Sequence, residues 1–281
     1  MATQRHRWIT LPDSRSKRRS QALVAYVLDQ ARTDFQTRYP NVRFGPVVGL
    51  LAAYQEEDNI GDVLKSMPTL LGDLEVTTLV VVDGGSDNTA QVSLDAGVFT
   101  CVLPVNLGQG AALRLGYELA SAHGARYVVT LDADGQNDPG EMGDLLQPIL
   151  DDTSDFVIAS RRLGTDQTTD LFRRAGVRFY ASTLNAIAGQ HLTDSSNGYR
   201  AFRIDVLDDI VSHLIQDQYQ TSEVVITASS RGWRISQVPT MWHPRASGTS
   251  KKGGNLVFGF NYARAILTTW ARVTLGNRTR R

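Results

Sequence analysis

The chain has 281 residues, 42% hydrophobic and 21% charged, with a formal net charge of zero. That is the composition of a soluble globular protein with room for one sizeable α/β domain and its appendages. The single cysteine, Cys101, excludes an internal disulfide framework and fits a reducing compartment, and five scattered histidines without an HExxH pattern argue against a zinc centre. The zero net charge conceals an asymmetry. Residues 1–28 hold six Lys/Arg and one acid, residues 29–223 thirteen basic and twenty-eight acidic residues, and residues 224–281 ten Lys/Arg and no acid. Basic ends on an acidic middle predict an anionic partner for the ends.

Residues 1–41 read as a basic N-terminal helical extension. Leu23, Val27, Leu28, Ala31 and Phe35 recur near one face, and Pro40 ends the helix. A core region, residues 42–252, then alternates strand and helix. Apolar runs at Val47–Ala53, Leu79–Val82, Cys101–Val105, Tyr127–Leu131 and Phe156–Ala159 read as buried strands. Between them, Ile60, Val63, Leu64 and Met67 share a helical face, a second helix follows Ser86-Asp87-Asn88-Thr89, and a third spans Gly110–His123 and closes at Gly124. Asp138-Pro139 supplies an N-cap and a first-turn proline for a fourth helix, running to about Leu150. This order predicts an α/β fold with a single Rossmann-like, mainly parallel sheet and helices on both faces. Residues 253–281 read as a C-terminal basic amphipathic helix. Its apolar stretch, Leu256–Leu275, is interrupted by Arg264 and Arg272, so it predicts an interfacial or packed helix and not a spanning one.

Ligands of an open parallel sheet sit at the carboxyl ends of its strands. Three strands finish in polar clusters: Ala53-Tyr54-Gln55-Glu56-Glu57, Asp83-Gly84-Gly85-Ser86-Asp87 and Asp132-Ala133-Asp134-Gly135-Gln136. Crowded carboxylates repel unless a cation or donor groups neutralise them. Two Asp at i and i+2 after a buried strand, with Gln136 beside them, make the partial oxygen shell that Mg²⁺ or Mn²⁺ completes with substrate phosphates.

These strings resemble the motifs of family 2 glycosyltransferases. The first is similar to the family's opening motif as Ala53-Tyr54-Gln55-Glu56-Glu57-Asp58-Asn59-Ile60, the second as Val81-Val82-Asp83-Gly84-Gly85-Ser86. In the family's order follow Asn106–Leu113, Asp132–Gln136, Ser160-Arg161, Asp194–Arg200 and Arg245–Lys251. The similarity covers roughly Val47 to Lys252 and is strongest to dolichol- or polyprenol-phosphate mannosyl- and glucosyltransferases. Departures are Ala52 where proline is usual, Gln55 for Asn, Gly84 where a second Asp is frequent, and Gln109 for a frequent lysine.

The resemblance implies a GT-A fold and an inverting, metal-dependent hexosyltransferase with Mg²⁺ or Mn²⁺ as cofactor. Carried onto this chain, it implies that Ala52, Tyr54, Glu56 and Asp83 contact the nucleoside of a UDP- or GDP-sugar. Asp132 and Ala133 hold the donor, and Asp132, Asp134 and Gln136 the metal. It also implies that Arg161, Arg245 and Lys251 surround phosphates, and Arg173 or Arg174 are further candidates for positioning a phosphate on the acceptor side. The expected acceptor is a polyprenyl or dolichyl phosphate, whose oxygen is already anionic; Arg161 then joins Asp134 among the catalytic groups. A soluble hydroxyl acceptor would need a base, and Asp194 is the candidate. A non-catalytic nucleotide-sugar or lipid-binding module is the further alternative. Gly108-Gln109-Gly110 before a helix also admits a dinucleotide site, but Leu113 occupies its third position. A nucleotidyltransferase on the same fold is a third rival. No nucleic-acid motif is present. The expected placement is cytoplasmic, peripheral on the cytoplasmic face of a membrane, with a homodimer as another use of the C-terminal helix.

Overall fold

The structure, a computed structural model, describes residues 14–166, 181–218, 220–244 and 255–278. A long helix, α1 (Ser14–Arg38), leads into β1 (Val47–Ala53), α2 (Ile60–Ser66), a short hairpin of β2 (Leu70–Leu71) with β3 (Leu74–Val82), and α3 (Thr89–Asp95). β4 (Phe99–Val102), α4 (Gln109–Ala122), β5 (Tyr127–Asp132), a 3-10 turn at Pro139–Glu141, α5 (Met142–Leu150) and β6 (Phe156–Asp166) follow. After α6 (181–188) come β7 (Arg200–Arg203), α7 (Ile204–Ile210), α8 (Gln220–Ser230), β8 (Ile235–Trp242) and α9 (Asn255–Arg278).

The eight strands form one sheet in the order β2-β3-β1-β5-β7-β6-β8, with β4 also on β3. β1 pairs in parallel with both β3 and β5, which brings the carboxyl ends of the three polar strand-end clusters side by side: Ala52 is opposite Val81 on one side and Asp132 on the other. Buried residues pack on both faces. One cluster takes Val27, Ala31 and Phe35 from α1, the inner face of α4, and Ile266 from α9. The other takes Ile60, Val63, Leu64 and Met67 from α2 and Met142, Leu145, Leu146 and Ile149 from α5. The predicted apolar positions of α1 thus go inward except Leu23, which is exposed.

The strand pattern departs from an all-parallel order at β7, which runs antiparallel to both β5 and β6. Its sequence, Arg-Ala-Phe-Arg, hides it. Arg200 is buried, with its guanidinium over the Phe156 ring, and Phe156 stacks on Phe202 at 4.4 Å between centroids. β8 carries Pro239 and is the last strand of the sheet among the described residues, where it pairs with β6 and a missing ladder donor is tolerated.

Candidate active site

The loops after β1 and β3 are laced together. Glu56 N donates to Thr89 Oγ1 at 2.8 Å, Glu57 N to Asp87 Oδ2 at 3.2 Å, and Asn88 N back to Glu57 Oε2 at 2.8 Å. The Glu56 carboxylate accepts from Asn59 Nδ2 at 2.8 Å. Tyr54 and Ala52 stand half-buried at the same end of β1.

Asp83 closes β3 and is buried. Oδ1 accepts from Leu107 N at 2.7 Å; Oδ2 accepts from Gly108 N at 2.8 Å and Asn106 Nδ2 at 3.0 Å. Burial pushes its carboxyl up to about 6, against the pull of the Leu107 and Gly108 amides. Asp83 therefore binds the 106–108 turn of its own chain. Gly84 explains one departure from the resembled motif. Its φ is +67°, and an added Cβ would lie 2.6 Å from Asn106 N, so no aspartate fits there.

Asp132 and Asp134 follow at the end of β5, Asp132 partly open and Asp134 buried. Asp132 Oδ1 accepts from Gln109 Nε2 at 3.0 Å, and Asp134 Oδ1 from Gln136 N at 3.1 Å. Gln109, set aside in the sequence as a departure, is thus a positioning group for Asp132 that leaves its charge intact. Gln136 Nε2 donates to the His243 carbonyl at 3.2 Å, so it has an amide oxygen to offer a cation. Ala133 turns its side chain into the core, which leaves only its backbone to a donor. Among the described residues no group of three or more His, Cys, Asp or Glu could hold a metal. Two carboxylates and an amide oxygen fit the hard, phosphate-completed coordination of Mg²⁺ or Mn²⁺ better than a full protein cage.

Gly108 and Gly110 have a purpose other than a dinucleotide. An added Cβ would sit 2.4 Å from Asp217 O at Gly108 and 2.1 Å from Gln216 O at Gly110. Gly110 N donates to Asp217 O at 2.7 Å, so the protein itself caps this helix start.

On the other side of Asp132 lies the 194–200 loop. Gly198 stands against the Asp132 carboxylate, where an added Cβ would be 3.1 Å from Oδ1. Asn197 Nδ2 donates to Ala159 O, Tyr199 OH to Asp138 O, and Thr130 Oγ1 to Gly198 O. Arg200, quoted in the sequence only as part of a motif, donates to the carbonyls of Ser195, Asn197 and Thr221 and so shapes the loop from beneath.

Asp194 is fully buried and gripped by Arg161 on β6: Nε to Oδ2 at 2.6 Å and Nη2 to Oδ1 at 2.9 Å. Arg161 Nη2 also donates to Ser196 Oγ at 2.8 Å, and the guanidinium lies over the Trp242 ring, 4.7 Å from its centroid. Burial would raise the Asp194 carboxyl, but the Arg161 charge and hydrogen bonds, with those of Ser196, hold it below the usual carboxylate range. Arg173, Arg174, Arg245 and Lys251 lie outside the described residues.

α9 docks through Ala265, Ile266 and Thr269, with Arg272 reaching Glu223 of α8 at 2.6 Å. Leu267, Trp270 and Leu275 are exposed. No helix of the described residues is long and apolar enough to cross a membrane.

Comparison with known proteins bears on these features. Residues 50–211 match the model of glycosyl transferase family 2. An uncharacterized protein of Methanocaldococcus jannaschii is 30% identical over 217 residues, 75% of this chain and 86% of that protein. An undecaprenyl-phosphate mannosyltransferase of Micrococcus luteus is 30% identical, covering 69% and 85%, and a UDP-N-acetylglucosamine–dolichyl-phosphate N-acetylglucosaminyltransferase of Methanococcus voltae 27%, covering 75% and 90%. Among solved structures, glucosyl-3-phosphoglycerate synthase of Mycobacterium tuberculosis, in complex with UDP, superposes with a TM-score of 0.64 at 19% identity, over 81% of this chain and 80% of that one. That likeness shows the fold, a GT-A sheet. The family match spans more than half of the sequence and includes the β1, β3 and β5 strand ends and the 194–200 loop: this chain belongs to glycosyl transferase family 2.

Proposed function

We propose that the chain moves a hexose, with inversion, from a UDP- or GDP-sugar to a polyprenyl or dolichyl phosphate at the crevice where β1, β3 and β5 end. The observation that carries this reading is the buried pair of Arg161 with Asp194, on the loop whose Gly198 stands against Asp132. The acceptor oxygen attacks the anomeric carbon while the bond from that carbon to the diphosphate oxygen breaks. A hydroxyl acceptor must lose a proton in that step. Asp194, the expected base, has both oxygens engaged by Arg161 and a carboxyl held acidic, which makes it a poor base. A phosphate monoester has its second ionisation near pH 6, at about the start of the physiological range, and arrives as a ready nucleophile. Asp194 then acts as a positioning residue for Arg161, whose cation is fixed between Asp194 and Trp242 on the acceptor side.

On the donor side, Ala52, Tyr54 and Glu56 line the nucleoside. Asp83 is proposed as a further contact of the nucleoside, and it also orders the 106–108 turn. Asp132, Asp134 and Gln136 would hold Mg²⁺ or Mn²⁺, which when bound is a Lewis acid for the charge developing on the leaving diphosphate. Arg173, Arg174, Arg245 and Lys251 are proposed as further phosphate contacts. The relatives named for dolichyl and undecaprenyl phosphate support the lipid acceptor. The exposed Leu267, Trp270 and Leu275 with Arg264 on α9 support peripheral residence on an anionic, cytoplasmic membrane face.

The test is product identity. With Mn²⁺, a UDP- or GDP-hexose and polyprenyl phosphate in vesicles, mass spectrometry should find the polyprenyl phosphate hexose, and NMR of its anomeric centre the configuration opposite to the donor's. Transfer to phosphoglyceric acid or another soluble hydroxyl acceptor, with none to the lipid phosphate, would replace this reading with the soluble one.

A further inference from the structure

Glu223, in the first turn of α8, is fully buried, and groups from two separate segments saturate its carboxylate. Oε1 accepts from Ile215 N at 3.0 Å and from Arg272 Nη2 at 2.6 Å. Oε2 accepts from Ile215 N at 3.1 Å and Gln216 N at 2.9 Å. Arg272 belongs to α9, and Thr268, one turn earlier on that helix, accepts from Gln216 Nε2 at 3.3 Å.

The 215–217 segment lies with its other edge on the start of α4. Gln216 O accepts from Arg114 Nη1 at 2.8 Å, Asp217 Oδ1 from Arg114 Nη2 at 2.7 Å, and Asp217 O from Gly110 N at 2.7 Å. The fit is close enough that only glycine can stand at 108 and 110. The same turn faces the crevice, with Leu107 N and Gly108 N on Asp83 and Gln109 Nε2 on Asp132. A contiguous set of hydrogen bonds therefore runs from α9 to both strand ends that flank β1.

We propose that Glu223 and Arg272 are positioning residues that link the docking of α9 to the geometry of the 107–109 turn, and so to the donor end of the crevice. The physical basis is the price of leaving buried groups unpaired. The Ile215 and Gln216 amides have their partner in one carboxylate, which Arg272 holds in place from the second helix. When Arg272 withdraws, the clamp loosens, and the carbonyls of 216 and 217 no longer hold the first turn of α4. The consequence at the nucleotide rests on the transferase reading; the mechanical linkage does not.

Hydrogen exchange of the full chain without nucleotide tests the linkage. Arg272 is one-third exposed, so Arg272→Met should fold, whereas Glu223→Gln is the harsher variant. Arg272→Met should speed exchange of the 215–217 and 107–112 amides by about tenfold, the loss expected of a charge-assisted contact. Arg272→Lys, which keeps a donor for Oε1, should restore protection at both. Faster exchange confined to α9 and 215–217, or spread evenly through the sheet, would overturn the proposal; so would failure of lysine to restore 107–112. In a separate arm, the UDP–Mn²⁺ dissociation constant should rise several-fold in Arg272→Met and recover in Arg272→Lys. A wild-type chain that binds neither UDP nor, in the same titration, GDP would count against the donor reading and leave the linkage to be decided by exchange.

Discussion

Asp194→Asn probes the reasoning most sharply, because it removes a charge and little volume. Asp194 is 0% and Arg161 6% exposed, and they are joined by two bonds of 2.6 and 2.9 Å. Breaking such a pair strands a buried cation and costs about 3–5 kcal/mol. Against a total stability of roughly 5–15 kcal/mol, that shifts a urea midpoint visibly. Arg161→Leu should cost a similar amount by stranding the anion. Arg161→Leu with Asp194→Leu should cost less than the sum of the single changes, by about 2 kcal/mol or more, because both charges leave together. Trp242, stacked on Arg161, gives a local fluorescence probe beside circular dichroism. The pH dependence has a fixed sign. The folded Asp194 carboxyl lies below its ordinary 3.8, so its contribution is present above that pH and lost as pH falls through the lower folded value. The wild-type advantage over Asp194→Asn should be flat near neutrality and shrink below about pH 4. Single changes costing under about 1 kcal/mol, or an additive cycle, would refute the account of the pair.

Other outcomes follow from the same geometry. Asp134→Ala should abolish Mn²⁺ binding by calorimetry and leave the circular dichroism spectrum unchanged; retained metal binding would remove Asp134 from the site. Asp83 has a raised folded carboxyl, about 6 against 3.8, so its contribution is full below 3.8 and declines as pH rises through 6. Asp83→Asn should flatten that part of the stability–pH curve, and an unchanged slope in urea titrations would contradict it. Gly110→Ala would press a methyl group to 2.1 Å from the Gln216 carbonyl, and a loss of about 1–3 kcal/mol in chemical denaturation is expected. Leu267→Gln with Trp270→Gln, both exposed, should keep the melting temperature but weaken co-sedimentation with anionic vesicles; unaltered sedimentation, or conversion of a dimer to a monomer, would assign that face elsewhere.

The parts of this molecule that repeat a simple pattern were legible in the sequence. Val47–Ala53 and Tyr127–Leu131 read as buried strands because both faces are covered, and Ile60, Val63, Leu64 and Met67 read as one helical face because all four are buried on it. The strand-end clusters could be placed together because parallel order fixes which ends are neighbours. β7 was not legible, since its buried Arg200 is accommodated by the Thr221 carbonyl and the Phe156 ring, both distant in sequence, as well as by carbonyls of the adjoining 195–197 loop. Asp194 read as a loop carboxylate available to a substrate, because nothing local announces a partner thirty-three residues away. Gly108 and Gly110 read as a weak nucleotide fingerprint for the same reason: the backbone they accommodate, 216–217, lies a hundred residues on.

The most direct test of the central claim is nucleoside diphosphate release. The wild-type chain is incubated with Mg²⁺ or Mn²⁺ and a panel of UDP- and GDP-sugars, with and without polyprenyl phosphate. The account predicts release from one donor that rises sharply when the lipid phosphate is added and stops with chelator or in Asp134→Ala. Release that ignores the lipid phosphate while responding to a soluble hydroxyl acceptor, or that persists undiminished in chelator, would contradict it.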